Sequence, residues 1–124
     1  MNHRIRLRWL LCVASLLPFL AIAGCHSDHV TVTIENHSGA AVQLLELDYP
    51  SASFGADQIA AGADFRYRIQ VRGTSPVELS YTGPNKKQYK IKGTELADHA
   101  QGSLRIVLLP GGKVEFYPML TVQQ

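Results

Sequence analysis

The chain has 124 residues and a formal net charge of +2 at pH 7 with histidine neutral. This length is enough for one domain with a modest hydrophobic core. The balance of 46% hydrophobic and 18% charged residues is that of a folded globular chain rather than a disordered one. The two cysteines, Cys12 and Cys25, exclude a disulfide-rich scaffold.

The amino terminus has the pattern of an export signal. Three basic residues, Arg4, Arg6 and Arg8, precede an uncharged apolar run over residues 9–23. A helix of this length reaches about 22 Å, which is short of the ~30 Å hydrocarbon core of a bilayer. The run ends in Ile22-Ala23-Gly24-Cys25, and this tetrad resembles the lipobox of bacterial lipoproteins at all four positions.

The resemblance implies a chemical fate for Cys25. In lipoproteins of this class the cysteine sulfur receives a diacylglycerol, the chain is cut before it, here after Gly24, and the new amino terminus is acylated. His26 follows the cysteine, where aspartate favours inner-membrane retention in Gram-negative bacteria, so an outer-membrane location is favoured. Two alternatives remain: cleavage after Ala23, which would release a soluble protein, and an intracellular protein with a buried amino-terminal helix.

Removal of residues 1–24 changes the charge of the chain. It leaves 9 Lys and Arg against 10 Asp and Glu, a formal charge of −1. The basic character therefore belongs partly to the signal, and a nucleic-acid-binding function loses its main support. Acylation of Cys25 would also leave the mature domain with neither a free thiol nor a disulfide.

After a polar tether at residues 26–29, the pattern predicts seven strands separated by turns. Residues 30–35 and 65–71 alternate between apolar and polar side chains, and residues 104–109 are nearly continuously apolar. In the second strand the apolar phase slips between Leu44 and Leu45, which predicts a β-bulge or burial on both faces. The predicted strands are 30–35, 42–49, 65–71, 77–81, 89–91, 104–109 and 114–117.

The intervening segments are predicted as turns and loops. Residues 36–39, 83–85 and 110–112 carry the Asn, Gly and Pro of tight turns, and residues 83–85 predict a hairpin. Residues 50–63 are predicted to be an irregular connection, in which Phe54 is either an exposed anchor or a plug for the end of the sandwich. Residues 93–102 are predicted to be a loop with a single helical turn at Glu95–His99.

This spacing of strands predicts an all-β fold, an antiparallel β-sandwich. Residues 58–65, followed by an alternating strand, resemble the approach to a middle strand in immunoglobulin-like and fibronectin-like domains. The cysteine pair and core tryptophan of antibody domains are missing, since the only tryptophan is Trp9. The predicted organisation is a signal at residues 1–24, Cys25 with its tether to 29, a sandwich at 30–120 and a tail at 121–124.

Metal binding is one candidate activity. His26, Asp28 and His29 crowd together in the tether and, with His37 or His99, could supply nitrogen and oxygen ligands to Zn²⁺ or Cu²⁺. A polar tether that contains histidines by chance explains the same residues, and no metal or other cofactor is predicted.

Hydrolytic chemistry has less support. No G-x-S-x-G motif occurs, Ser38 lies in a predicted turn, and Ser103 opens a strand. Glu46 and Asp48 share a face if their strand is regular, but solvation on an outer face explains them. The chain is therefore predicted not to be an enzyme.

Basic side chains on two strands provide the best functional hypothesis. If the strands share a sheet, one face would be cationic and could bind an anionic envelope polymer or an acidic protein. Solvation of the outer face explains the same charges. The residues concerned are Arg66, Arg68, Arg72, Lys90 and Lys92.

The predicted protein is a lipid-anchored envelope lipoprotein that faces the periplasm or the cell exterior. Its small domain is expected to bind a partner or support an envelope assembly. The alternatives are a metal-handling lipoprotein and a periplasmic inhibitor or immunity-type protein that blocks an enzyme with residues 50–63.

Overall fold

A computed structural model describes residues 28–122, which form eight β-strands and two single turns of 3₁₀ type. Within this range no helix has the length and apolar character needed to cross a membrane. The predicted all-β sandwich is confirmed, with one strand more than predicted. The strands are β1 (Val30–Asn36), β2 (Val42–Tyr49), β3 (Ala52–Ile59), β4 (Asp64–Ile69), β5 (Ser75–Thr82), β6 (Gln88–Leu96), β7 (Ala100–Leu109) and β8 (Lys113–Val122).

The strands form two sheets of four. Sheet A has the order β4-β1-β7-β8, and sheet B has the order β3-β2-β5-β6. Neighbouring strands are antiparallel except for β1 and β7, which run parallel from Val30 opposite Gly102 to Asn36 opposite Leu108. This pair lies at the centre of sheet A and joins the first strand to the seventh.

The core lies between the sheets and is built by the alternating strands. Every second residue of β1 is buried. The inward residues of β7, its neighbour in sheet A, and of β5 in sheet B belong to the same core. Phe54 of β3 is 7% exposed and stacks on Tyr67 of β4 with ring centroids 4.6 Å apart. Phe54 is therefore part of the core in the middle of β3, and the predicted exposed anchor was wrong.

The two sheets approach each other along their outer strands. β6 and β8, the edge strands of sheets B and A, meet where the Phe116 ring occupies the space that a Cβ on Gly93 would fill. A larger residue at position 93 would require the Phe116 ring or the strands to shift. The β6–β8 edge is closed by this aromatic contact instead of by a ladder of hydrogen bonds.

The connections divide between the two ends of the sandwich. The tether end holds the start of β1 and residues 50–51, 70–74 and 97–99, where the Gly102 amide donates to the His29 carbonyl at 3.1 Å. The distal end holds residues 37–41, 60–63, 83–87 and 110–112. The described chain begins at the tether end, two residues before β1.

Asn36 fixes the distal end from inside. It is 0% exposed, and its Nδ2 donates to the carbonyls of Ala40 and Ile59 at 2.8 and 2.9 Å and to that of Ala60 at 3.2 Å. Its Oδ1 accepts from the amide and hydroxyl of Ser38. One buried amide thus joins the turn after β1 to the end of β3, and its hydrogen-bonding groups are satisfied.

Several predicted boundaries were wrong. Residues 52–59, predicted as irregular, form β3, which pairs with β2 from Val42 opposite Ile59 to Tyr49 opposite Ala52. No helical turn forms at Glu95–His99, because β6 continues to Leu96 and a tight turn at 97–99 leads directly into β7. β8 continues to Val122, so residues 121–122 belong to the sandwich and not to a tail.

The predicted irregularity of β2 is confirmed. The register between β2 and β5 shifts between Gln43 and Glu46, which is a β-bulge. Leu44 lies in it with a φ of 51°, in the left-handed region that β-branched and bulky residues rarely adopt. Its side chain is 69% exposed on the outer face of sheet B, while Leu45 turns into the core.

Candidate functional site at the tether end

Three side chains converge where the chain enters the domain. Asp28 Oδ2 accepts a hydrogen bond from Arg72 Nη1 at 2.7 Å and lies 2.7 Å from His99 Nδ1. We call Asp28, Arg72 and His99 the clasp. It ties the residue two before β1 to the connections on both sides of the tether end.

Backbone contacts hold the clasp residues in place. The His99 amide donates to the Val71 carbonyl at 3.0 Å, and the Gly73 amide donates to Asp98 Oδ1 at 2.8 Å. His99 adopts a φ of 60°, which turns the chain sharply between β6 and β7. Residues 70–74 and 97–99 therefore form one cross-linked unit, and the clasp residues project from it.

The clasp perturbs the acid–base behaviour of Asp28. Its pKa falls from 3.8 to about 2, because His99 and then Arg72 hydrogen-bond to the ionised carboxylate. Asp98 Oδ2 lies 3.5 Å from His99 Nε2, so the imidazole has a carboxylate at each ring nitrogen.

The position of the clasp relative to Cys25 gives it functional interest. Cys25 and the cleavage position after Gly24 lie outside the described residues, as does His26. Asp28 follows Cys25 by three residues, which span at most about 11 Å when fully extended. The clasp thus fixes the chain within this distance of the predicted point of lipid attachment.

The five predicted basic residues do not form one face. Arg66 and Arg68 point outward from β4 in sheet A, whereas Lys90 and Lys92 point outward from β6 in sheet B. The single cationic face was therefore a wrong expectation. Arg72 lies beyond the end of β4, where it belongs to the clasp.

The outer face of sheet A is an ion-paired surface. Arg105 Nη2 donates to Glu35 Oε1 at 3.0 Å, and Arg105 Nε donates to the other oxygen. This hydrogen bonding lowers the pKa of Glu35 and raises that of Arg105. The guanidinium carbon lies 5.2 Å from the Tyr117 ring centroid, and the Tyr117 hydroxyl donates to Glu115. The cation at Arg105 is thus balanced within its own sheet.

The histidines proposed as metal ligands are dispersed. His29 and His37 flank β1, whose seven residues span about 23 Å, so they lie at opposite ends of the sandwich. His37 Nε2 is 3.3 Å from Glu35, and His99 belongs to the clasp. No group of three or more His, Cys, Asp or Glu able to hold a metal ion occurs between residues 28 and 122.

The carboxylates considered for hydrolysis lie on the outer face of sheet B, and Ser38 lies in the turn after β1 at the distal end. Glu46 and Asp48 share the outer face of sheet B, as regular alternation after the bulge requires. The pKa of Glu46 is raised because its carboxyl group hydrogen-bonds to Asp48 and is repelled by its charge. Ser38 Oγ lies 2.6 Å from Asn36 Oδ1 and 3.0 Å from the Ala40 carbonyl, and it stabilises the distal turn.

The sequence interpretation missed the role of Asp28 as the centre of the clasp. Asp28 was treated as part of a polar tether and as a possible metal ligand, and its partners lie 44 and 71 residues away. A conventional signal for such a contact is missing, because no local spacing relates the three residues. Knowledge of which loops share an end of the sandwich would have been required.

Comparison with known proteins gives a likeness of fold. No protein-family model matches the chain, and no curated protein matches its sequence. A solved structure, described as the NMR structure of the protein from Eubacterium rectale, superimposes with a TM-score of 0.58 at 8% identity. The match covers 76% of this chain and 93% of the other. At this identity the likeness concerns the sandwich fold alone.

Proposed function

We propose that the protein is a lipid-anchored lipoprotein of the bacterial cell envelope, whose sandwich is a non-enzymatic binding or scaffolding module held close to the membrane. The lipid would be attached to Cys25 after cleavage of residues 1–24. The anchor would face the periplasm or the cell exterior, with the outer membrane favoured by His26.

The clasp is the observation that supports this proposal. A flexible linker would let a tethered domain swing freely, whereas Asp28 is bound by two side chains only three residues after Cys25. The tether end would then face the lipid headgroups, and the distal end would face away. Such a fixed orientation suits a module that presents particular surfaces to neighbours.

The charged clusters also support a binding role over catalysis. In the clasp and in the Glu35–Arg105 pair, the charged groups are engaged with each other and orient loops and strands. Their geometry explains structure without invoking a substrate. The outer faces of the two sheets remain as the broad surfaces through which the domain can bind.

Replacement of the lipid acceptor tests the anchor. Cys25→Ala is expected to leave an unprocessed precursor that incorporates no fatty-acid analogue. Cys12→Ala is a matched control, since Cys12 lies in the predicted signal and its loss should leave processing and labelling unchanged. Normal processing and release of the Cys25→Ala chain would contradict the proposal and favour cleavage after Ala23.

The proposed orientation has its own test. Gln70 at the tether end and Ala61 at the distal end are both exposed. Gln70→Cys and Ala61→Cys can therefore each carry a fluorophore. In vesicles that contain the lipidated protein, a headgroup-attached quencher should reduce fluorescence strongly at position 70 and weakly at position 61. Equal quenching at both positions would show that the domain has no fixed orientation.

A further inference from the structure

The outer face of sheet B is divided by charge. Two carboxylates, Glu46 and Asp48, point outward from β2, and two ammonium groups, Lys90 and Lys92, point outward from β6. The four residues are exposed. Asp57 on β3 adds a further exposed carboxylate to the acidic half. In the other half, Glu78 on β5 is paired with Lys90 of its own chain at 3.1 Å, and Glu95 on β6 is exposed near the tether end.

The charges are matched in height along the strands. One row of the sheet runs from Asp48 through Glu78 to Lys92, and the next runs from Glu46 through Ser80 to Lys90. Each row therefore carries an acid on β2 and a lysine on β6. On β3, beyond the acids, the same rows end in Ser53 and Gly55, whose small size leaves room above the sheet.

Leu44 protrudes from the acidic half of this face. It is 69% exposed in the bulge of β2, an unusual site for a large apolar side chain with a positive φ. Across from it, over β5 and β6, lies an open cleft of about 450 Å³. The cleft is bordered by Leu44 itself and by Ser80, Thr82, Gln88 and Lys90. It has ample room for a leucine side chain.

We propose that two copies of this chain pair through the outer face of sheet B, about a two-fold axis that runs parallel to the strands between β2 and β5. Such an axis sets β2 of one copy opposite β5 of the other, and β3 opposite β6, at unchanged height. Leu44 of each copy then faces the cleft of its partner copy. The same operation brings the acidic half of one face against the half of the other face that carries Lys90 and Lys92.

The row of Glu46 and Lys90 becomes complementary in this arrangement, whereas in the other row Asp48 lies opposite Glu78 of the second copy, beside Lys92. Lys90 of one copy lies above Gly55 of the other and reaches the neighbouring Glu46, and Lys92 lies above Ser53 and reaches Asp48. A face that is self-complementary in this way specifies a second copy as its occupant, since a partner of one charge would be attracted by one half and repelled by the other.

The size of the face predicts a weak dimer in solution. Four strands of eight residues cover about 19 Å by about 27 Å, so two copies would bury about 1,000 Å² in total. This is the low end for a specific interface, where association is transient. Attachment of both copies to one membrane would raise their effective concentration and favour pairing.

The direction of the axis agrees with the anchor. An axis parallel to the strands leaves both tether ends on the same side of the dimer, whereas a perpendicular in-plane axis would place them on opposite sides. This choice between axes rests on the proposed function. The charge pairing itself does not, so a chain of residues 26–124, which lacks the signal and Cys25 but keeps every described residue, can test it separately in solution.

Charge reversal with mixing provides the test. One variant, Glu46→Lys with Asp48→Lys, has two basic halves, and the other, Lys90→Glu with Lys92→Glu, has two acidic halves. Each variant alone is expected to dimerise about tenfold more weakly than the parent, a loss of about 1.4 kcal/mol. A 1:1 mixture is expected to form heterodimers at least as readily as the parent forms homodimers, as measured by sedimentation velocity at graded concentrations.

Two further variants separate the apolar contact from folding. Leu44→Asn should weaken dimerisation about tenfold, because asparagine suits the positive φ but does not fill the cleft. Met119→Asn, at a 77% exposed position on the outer face of sheet A, should leave it unchanged. Circular dichroism checks that each variant is folded.

Several outcomes would overturn the proposal. One is that both the parent chain and the 1:1 mixture of the two charge variants stay monomeric at millimolar concentration. Another is a dimer that the charge variants leave intact, since it would use a different surface. Binding of a different envelope protein to this face, abolished by Leu44→Asn in chains that remain monomeric, would replace the second copy as its occupant.

Discussion

Asp28 and His99 are 71 residues apart in the chain, yet Oδ2 of one lies 2.7 Å from Nδ1 of the other. Arg72 completes the contact from the connection between β4 and β5. The chain entering the domain is thereby bound to both connections that cross the tether end. Under the proposed function, a tether whose last residues are held in this way would transmit the position of the anchor to the sandwich.

The clasp predicts an unusual titration of Asp28. Its folded pKa of about 2 is below the ordinary 3.8, so the clasp contributes stability at pH values above 3.8, which is lost as the pH falls through 2. Carbonyl-carbon NMR should give a midpoint near 2 for this carboxylate. Arg72→Gln should raise the midpoint only part of the way to 3.8, because His99 is the larger cause. A midpoint near 3.8 in the parent chain would show that the clasp does not form.

Asn36 is predicted to be the polar residue on which the distal end depends. Asn36→Ala leaves three backbone carbonyls without their shared donor and should lower the free energy of unfolding by about 2–3 kcal/mol. Ser38→Ala removes only a hydroxyl in the same turn and should lower it by about 1 kcal/mol. Urea denaturation measures both. Equal effects of the two substitutions would indicate that the buried amide has no special role.

The bulge in β2 predicts a stabilising substitution. Leu44→Asn replaces an exposed residue at a φ of 51° by one that tolerates this conformation, and stability should rise by about 0.5–1 kcal/mol. Met119→Asn makes the same chemical change on β8, where the backbone needs no such relief, and should not stabilise the protein. If Leu44→Asn destabilised the fold, Leu44 would have a packing role that its exposure does not indicate.

The Glu46–Asp48 pair predicts a pH-dependent effect of a neutral substitution. The folded pKa of Glu46 is raised above 4.5. Protonated Glu46 therefore contributes stability that is fully present below pH 4.5 and is lost as the pH rises through the folded pKa. Glu46→Gln should therefore raise the Tm at pH 7 but have little effect at pH 4. Glu95→Gln, at an exposed position near the end of β6, is the control. A stabilisation that is equal at both pH values would contradict repulsion from Asp48 as the cause.

Strand positions were predictable where side chains alternate. Val30, Val32 and Ile34 are buried as their period of two requires, and the phase slip at Leu44 and Leu45 marks a real bulge. Turn residues located the β5–β6 and β7–β8 hairpins. β3 escaped prediction because only Phe54 and Ile59 of its eight residues are buried, and its small residues resemble those of a loop.

The candidate sites depended on information that periodicity does not contain. Alternation shows that Arg66 and Lys90 point away from the core, but it does not show that β4 and β6 belong to different sheets. The clasp likewise requires residues 70–74 and 97–99 to meet at one end. Both features follow from strand order, which is set by the packing of the whole chain.

Lipid attachment at Cys25 is the central claim, and mass spectrometry of the amino-terminal peptide tests it most directly. The protein should be purified from membranes of the bacterium that produces it and digested, and its first peptide should be sequenced. The predicted result is a chain that begins at Cys25 with a diacylglyceryl group on sulfur and an acylated amino terminus. A soluble chain that begins at Gly24, or a membrane-free chain that retains residues 1–24, would contradict the account.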